Sequence, residues 1–87
     1  MSIWTKATMQ GVHLSIRGDI YSEHIEFLQN ILLERLRYGF RYIVIEIMGI
    51  CLCVDQAAAM LEYVRSRFRH EGGELIVQNR SSSFQID

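Results

Sequence analysis

Apolar and polar side chains alternate in several short stretches of the chain, and this period of two predicts β-strands. Residues 12–17, VHLSIR, alternate up to Gly18, which is the pattern of a strand with one buried face. The stretches 41–47 and 74–78 are rich in β-branched residues and predict two further strands. A fourth strand is expected at the start of the chain, over 3–9.

Between these stretches, apolar residues recur every three or four positions, which predicts two amphipathic helices. The first is expected over 22–38, with Ser22 as its N-cap residue and Gly39 at its end. The second is expected to have Asp55 as its N-cap residue and to end before the Gly-Gly pair at 72–73. The predicted buried stripes are Ile25, Leu28, Leu32 and Leu36 in the first helix, and Ala57 or Ala58, Leu61, Val64 and Phe68 in the second.

The predicted order of elements is β-β-α-β-α-β, which indicates an α/β fold with a mostly parallel, four-stranded sheet. One helix joins each of the last three strands to the next, and such crossovers are right-handed in almost every protein. Strands added in chain order then place both helices on one face. The alternation predicts an apolar face (Val12, Leu14, Ile16, Ile43, Ile45, Ile47, Leu75, Val77) and a semi-polar open face (His13, Ser15, Arg17, Tyr42, Val44, Glu46, Glu74, Ile76).

Length and charge exclude several classes of function. The 87 residues are expected to form one domain over 1–80, with 81–87 as a C-terminal tail. Nine basic and ten acidic side chains give a net charge of −1, which provides no general attraction to nucleic acid or to an anionic membrane. No stretch is apolar over the roughly 18 residues that a membrane span needs, and the N-terminus lacks a signal-peptide pattern. We therefore expect a cytoplasmic protein without nucleic-acid or membrane partners.

The chain offers few groups for catalysis or metal binding. Cys51 and Cys53 are one residue apart, and a disulfide at that spacing would be strained, so we expect reduced thiols that fill the core. His13, His24 and His70 fall on three different elements, and local spacing fixes no acid or nucleophile beside them. The sequence therefore predicts no catalytic residue, no metal site and no cofactor.

Three segments together resemble the STAS domain, the fold of bacterial anti-sigma factor antagonists. They are VHLSIRGDI (12–20), YIVIEIMGICLCVDQAAAML (42–61) and FRHEGGELIVQN (68–79). The resemblance covers about residues 12–78 and depends on the layout of elements together with Gly18, Glu46 and the pair at 72–73. It implies a non-enzymatic protein that regulates transcription or signalling by binding a kinase-type anti-sigma factor or a related regulator.

The phosphorylation motif of that family is changed in this chain. In the family, Asp-Ser-Ser-Gly opens the second helix, and a serine there is phosphorylated by the partner kinase. Without gaps the motif falls on Val54, Asp55, Gln56 and Ala57, so that Gln56 takes the acceptor position and Asp55 the serine before it. Tyr21 stands where many members have an acidic residue. Neither Asp55 nor Gln56 is a substrate for a serine kinase, so the resemblance implies partner binding without this switch.

The resemblance also implies where the partner binds, at the start of the second helix and after the second strand. The implied partner-binding residues are Gly18, Asp19, Tyr21, Cys53, Val54, Asp55, Gln56 and Ala57. For Asp55 two compatible roles remain open, a helix cap alone and a permanent negative charge in the interface.

Two further expectations concern other partners. A STAS domain that acts as a scaffold, or that senses a small ligand on the open face or in the loop before the second helix, is the alternative function. Apolar surface near Ile76 and Phe84 predicts a homodimer or an obligate partner. Trp4, on the first strand, either covers the end of the core or contributes to an interface.

Overall fold

The computed structural model describes residues 1–9 and 11–79, which contain four strands and two α-helices. The elements are β1 (Ser2–Ala7), β2 (Val12–Arg17), α1 (Ile25–Arg37), β3 (Tyr42–Ile47), α2 (Val54–His70) and β4 (Glu74–Asn79), with a 3-10 turn over Ser22–His24 ahead of α1. The predicted α/β class is therefore confirmed. The predicted tail, 81–87, lies outside the described residues.

The four strands form one mixed sheet in chain order, β1-β2-β3-β4. β1 and β2 are antiparallel and joined by a hairpin, in which the Thr8 amide donates to the Gly11 carbonyl at 2.7 Å. β2, β3 and β4 are parallel, an arrangement that needs the crossovers provided by α1 and α2. The register aligns Leu14 with Ile45, and Ile45 with Val77, so these side chains share one face of the sheet.

Both helices pack on that face and bury it. The buried apolar residues of the sheet and helices are Val12, Leu14, Ile16, Ile43, Ile45, Ile47 and Leu75 from the strands, Leu28, Leu32 and Leu36 from α1, and Ala57, Met60, Leu61, Val64 and Phe68 from α2. Ala57 rather than Ala58 completes the stripe of α2, and Ile25 of α1 is only half-buried. Within the described residues, no helix has the length and apolar character needed to cross a membrane.

The opposite face of the sheet is called the open face below, because no described helix packs on it. Its outward positions are Ser2, Trp4, Lys6, His13, Ser15, Arg17, Tyr42, Val44, Glu46, Glu74, Ile76 and Gln78. Every one of these side chains is exposed or half-buried, in contrast to the buried positions that alternate with them in β2 and β3. The sheet is thus covered on one side only.

The predicted N-cap role of Asp55 is wrong. α2 begins at Val54, one residue earlier, and Cys53 is its N-cap residue with φ −132° and ψ 58°. The first helical turn is closed by the Ala57 amide, which donates to the Cys53 carbonyl at 2.9 Å. Asp55 consequently lies within the first turn, where its exposed carboxylate interacts favourably with the positive end of the helix dipole.

The predicted N-cap role of Ser22 is also wrong, because Ser22 belongs to the 3-10 turn. The chain enters this turn at Tyr21, whose amide donates to His24 Nδ1 at 2.9 Å. The two rings lie edge to face with their centroids 5.7 Å apart. The imidazole of His24 thus performs the capping that the sequence pattern assigned to the serine hydroxyl, and the regular helix starts only at Ile25.

Candidate functional site

Two loops meet where β2 and β3 end, and their backbones are hydrogen-bonded to each other. The Ile20 amide, in the loop after β2, donates to the Ile50 carbonyl at 2.9 Å. The Leu52 amide donates in turn to the Ile20 carbonyl at 2.9 Å, and Ile20 forms a parallel bridge with Cys51. This pairing extends the sheet ladder past the strand ends, so the β3–α2 loop (48–53) is held in place along its length.

Gly49 allows the two loops to approach this closely. A Cβ atom at position 49 would lie 2.0 Å from the carbonyl oxygen of Gly18, far inside van der Waals contact. Backbone atoms on both sides form this contact, so no side-chain rotation could relieve it. A side chain at 49 would therefore separate the two loops.

Side chains of the β3–α2 loop alternate between the core and solvent. Cys51 is buried and Cys53 is half-buried, while the intervening positions point outward. The outward side chains of the loop are apolar, with exposed fractions of 43 % for Met48, 48 % for Ile50 and 59 % for Leu52, and Val54 at the start of α2 is 38 % exposed. These four apolar groups form a surface that favours contact with another apolar surface.

The structure brings most of the predicted partner-binding residues to this same end of the molecule. We call the exposed set the carboxyl-end surface: Gly18, Asp19, Tyr21, Met48, Ile50, Leu52, Val54, Asp55 and Gln56. Cys53 lies half-buried beneath it. Ala57, the remaining residue of that prediction, is 3 % exposed, and its methyl group packs in the core.

Two carboxylates accompany the apolar side chains of the carboxyl-end surface. Asp19 is exposed, and its Oδ1 accepts a long hydrogen bond of 3.4 Å from the Ile50 amide. Asp55 is exposed in the first turn of α2, next to the exposed amide side chain of Gln56. An apolar centre with polar neighbours is the usual composition of a protein interface.

The two thiols lie beneath the carboxyl-end surface and are free. Their Sγ atoms are 3.9 Å apart, and Cys53 Sγ lies 3.8 Å from the Ile20 carbonyl oxygen. Burial raises the pKa of the Cys53 thiol, and the hydrogen bond and charge of Cys51 raise it further. A raised pKa keeps a thiol protonated at neutral pH and makes it a weak nucleophile, in agreement with the predicted role as core filler.

Met48, Ile50 and Leu52 are the residues of this surface that sequence reasoning missed. Positions 47–54 are apolar except for Gly49, and such a run predicts a buried segment as readily as an exposed one. The length of this apolar run could have indicated the exposed residues, because the run continues past Ile47, the last core residue of β3. Apolar residues that exceed what a strand can bury must lie in another part of the core or face outward.

This arrangement has the properties of a binding surface. Its backbone is fixed by hydrogen bonds, the outward side chains of the β3–α2 loop are apolar, and burial raises the pKa of the Cys53 thiol beneath it. Over residues 1–9 and 11–79, no three His, Cys, Asp or Glu side chains are grouped so that they could hold a metal ion. Comparisons of the chain with protein-family models, with curated proteins and with solved structures each found no match.

Proposed function

We propose that this chain is a non-enzymatic protein-interaction module that regulates transcription or signalling by binding a partner protein through the carboxyl-end surface. The observation that carries the proposal is the β3–α2 loop, which exposes Met48, Ile50 and Leu52 beside Val54. Exposing such groups to water is unfavourable, and a complementary apolar surface removes that cost. Because the loop is already hydrogen-bonded in place, binding loses little conformational entropy in ordering it.

A STAS-like fold is part of this proposal. It is supported by the β-β-α-β-α-β order of the described residues and by the position of both helices on one face of the sheet. In that family the partner meets the start of the second helix, and here Val54, Asp55 and Gln56 are exposed in the same place. On the basis of this resemblance, the partner that we propose is a kinase-type anti-sigma factor or a related regulator.

The chemistry of Asp55 and Gln56 makes the proposed interaction independent of serine phosphorylation. Both side chains are exposed in the first turn of α2, and neither carries a hydroxyl group. In a switched protein, a phosphate at this place would add a charge of about −1.5 to −2 to the interface. Here Asp55 contributes one carboxylate that no kinase adds or removes, so we propose an interaction without that control.

The alternative function, a scaffold or ligand-sensing STAS domain, is favoured by one other feature. A shallow recess on the open face, beside the β1–β2 hairpin, is lined by His13, Tyr42, Val44 and Ile76 among others. A flat aromatic ligand would bind there by stacking on Tyr42 and by hydrogen bonding to His13. This alternative predicts that binding is lost in variants of Tyr42 and retained in variants of the carboxyl-end surface.

The proposed function is tested by replacing Leu52, the most exposed apolar residue of the β3–α2 loop, with glutamate. A charge at the centre of an apolar interface is expected to weaken binding of the kinase-type anti-sigma factor at least about thirtyfold. Titration calorimetry of the two purified proteins measures this, and Asp55→Arg should weaken binding as well.

Tyr38→Glu is the matched control for this experiment. Tyr38 is 69 % exposed, and it follows α1 at the opposite end of the sheet. Its replacement should leave affinity within about twofold of the wild type, because surface changes outside an interface have small effects. Equal affinity of Leu52→Glu and the wild type, with both proteins folded by circular dichroism, would show that the carboxyl-end surface is not the binding site.

A further inference from the structure

The two cysteines of the β3–α2 loop bring their sulfur atoms together beneath the carboxyl-end surface. Cys51 is buried and Cys53 is half-buried, while Leu52 between them points outward, so both thiols leave the loop on the same side. Neither thiol belongs to a disulfide, and their Sγ atoms are 3.9 Å apart. The loop therefore holds two soft donor atoms side by side.

The backbone that carries this pair of thiols is fixed around both cysteines. Cys51 forms a parallel bridge with Ile20, and the Leu52 amide donates to the Ile20 carbonyl at 2.9 Å. Cys53 is the N-cap residue of α2, and its carbonyl accepts a hydrogen bond of 2.9 Å from the Ala57 amide. A ligand that binds both sulfurs thus does not have to order the loop first, which lowers the entropic cost of binding.

The separation of the two sulfurs suits a single metal ion bound to both. Bonds between thiolate sulfur and a zinc-sized ion are about 2.3 Å long. Two sulfurs on one ion are therefore about 3.8 Å apart at a tetrahedral angle and about 4.6 Å apart in a linear arrangement. The observed distance of 3.9 Å lies within this range, so the thiols are already at a bonding separation.

The small number of donors selects the ion. Among residues 1–9 and 11–79, no third His, Cys, Asp or Glu side chain is grouped with the two thiols. Structural zinc sites and iron–sulfur clusters need about four protein ligands, and Mg²⁺ and Ca²⁺ need oxygen donors. Cu(I) is a soft monovalent ion that prefers sulfur ligands and is stable with only two of them.

We propose that Cys51 and Cys53 bind one Cu(I) ion between their Sγ atoms. Each thiol loses its proton to solvent as its Cu–S bond forms, and the copper stays Cu(I), so no electron is transferred. The ion reaches the pair past the half-buried side chain of Cys53. The Ile20 carbonyl oxygen, 3.8 Å from Cys53 Sγ, stays hydrogen-bonded after the thiol proton has left, because it also accepts from the Leu52 amide.

The start of α2 favours the charge of the loaded site. Two thiolates and one monovalent cation leave a single net negative charge beside Cys53, the N-cap residue of this 17-residue helix. The positive end of the helix dipole stabilises a negative charge at this place.

Competition with bathocuproine disulfonate, a chromophoric Cu(I) chelator, tests this inference on the full chain, reduced and without oxygen. The wild type should withdraw one Cu(I) ion per chain and develop the ultraviolet absorption of thiolate-to-Cu(I) charge transfer. Cys53→Ser should lower the affinity at least about hundredfold, because a hydroxyl group is a poor ligand for a soft ion. A wild type that leaves all Cu(I) on the chelator, or that binds one ion between two chains, would overturn the inference.

Met48→Leu is the matched control, since it removes a sulfur atom from the same loop. Met48 Sδ accepts a hydrogen bond from Ser15 Oγ at 3.2 Å, on the open face and away from the two thiols. The variant should keep its Cu(I) affinity within about threefold of the wild type. Cys53→Ser with wild-type affinity, and with an unchanged circular dichroism spectrum, would overturn the inference. Neither measurement involves the protein partner, so failure of this inference is distinguishable from failure of the proposed function.

Discussion

Replacing Phe68 with alanine is expected to lower the free energy of unfolding by about 3–5 kcal/mol, the largest stability effect of any single change discussed for this protein. Phe68 is fully buried in α2, on the stripe that faces the sheet. Removal of its ring leaves a cavity among residues that belong to both layers, and these can collapse only in part. Urea unfolding followed by circular dichroism measures the change. The free energy of unfolding of a domain of this size is about 5–15 kcal/mol in total. The variant should therefore be partly unfolded at urea concentrations well below the wild-type unfolding midpoint.

Phe27→Ala is the matched control for that measurement. Phe27 is 54 % exposed on α1, so the same chemical change there removes a ring that is largely in water already. Its effect should stay within about 0.5 kcal/mol. Similar losses at the two positions would contradict the assignment of the buried face of α2.

Replacing Gly49 with alanine is expected to cost about 3 kcal/mol, and to do so by separating the two loops under the carboxyl-end surface. The added Cβ would lie 2.0 Å from the Gly18 carbonyl oxygen, so one of the two backbones has to move. This movement breaks the pairing of Ile20 with Ile50 and Leu52, which fixes the exposed apolar side chains. Chemical denaturation reports the stability loss, and faster amide exchange at Ile20 and Leu52 reports the movement.

Gly39→Ala is the control for this experiment, because it introduces backbone strain without a steric clash. Gly39 has a φ of +104°, and a Cβ atom there would meet nothing within 4 Å. Its replacement should cost only the strain of that backbone conformation, about 1–2 kcal/mol, and should leave amide exchange at Ile20 and Leu52 unchanged. If Gly49→Ala proved as mild as this control, or left the exchange of those two amides unchanged, the close approach of the loops would be disproved.

Local pattern was enough to predict the elements and the two faces of the sheet. In β2, the alternation of Val12, Leu14 and Ile16 with polar neighbours can be satisfied only by a strand with one buried face. The stripe of Leu61, Val64 and Phe68 in α2 has the spacing of a helix packed on one side. Both patterns are local in sequence, and the packing of the two layers agrees with them.

Local sequence pattern could not predict where α2 starts or that the loop before it is exposed. Asp55 is a good N-cap residue by type. The β3–α2 loop, however, is paired with the backbone of Ile20, and the helix that follows it has Cys53 as its N-cap residue. The outward position of Ile50 and Leu52 depends on the same non-local pairing, which determines which side of the loop faces the core. Side-chain type carries no information about such contacts, so an apolar loop resembles a buried strand in the sequence.

Binding of a protein partner to the carboxyl-end surface is measured most directly by the binding footprint on this chain. Titration of isotope-labelled protein with the proposed partner, a kinase-type anti-sigma factor, should change the amide signals of 18–21 and 48–56. Signals from β1 and from the last turn of α1 should stay in place, because surfaces outside an interface move little on binding. The largest changes on the open face, or on the outer surfaces of α1 and α2, would contradict the claim.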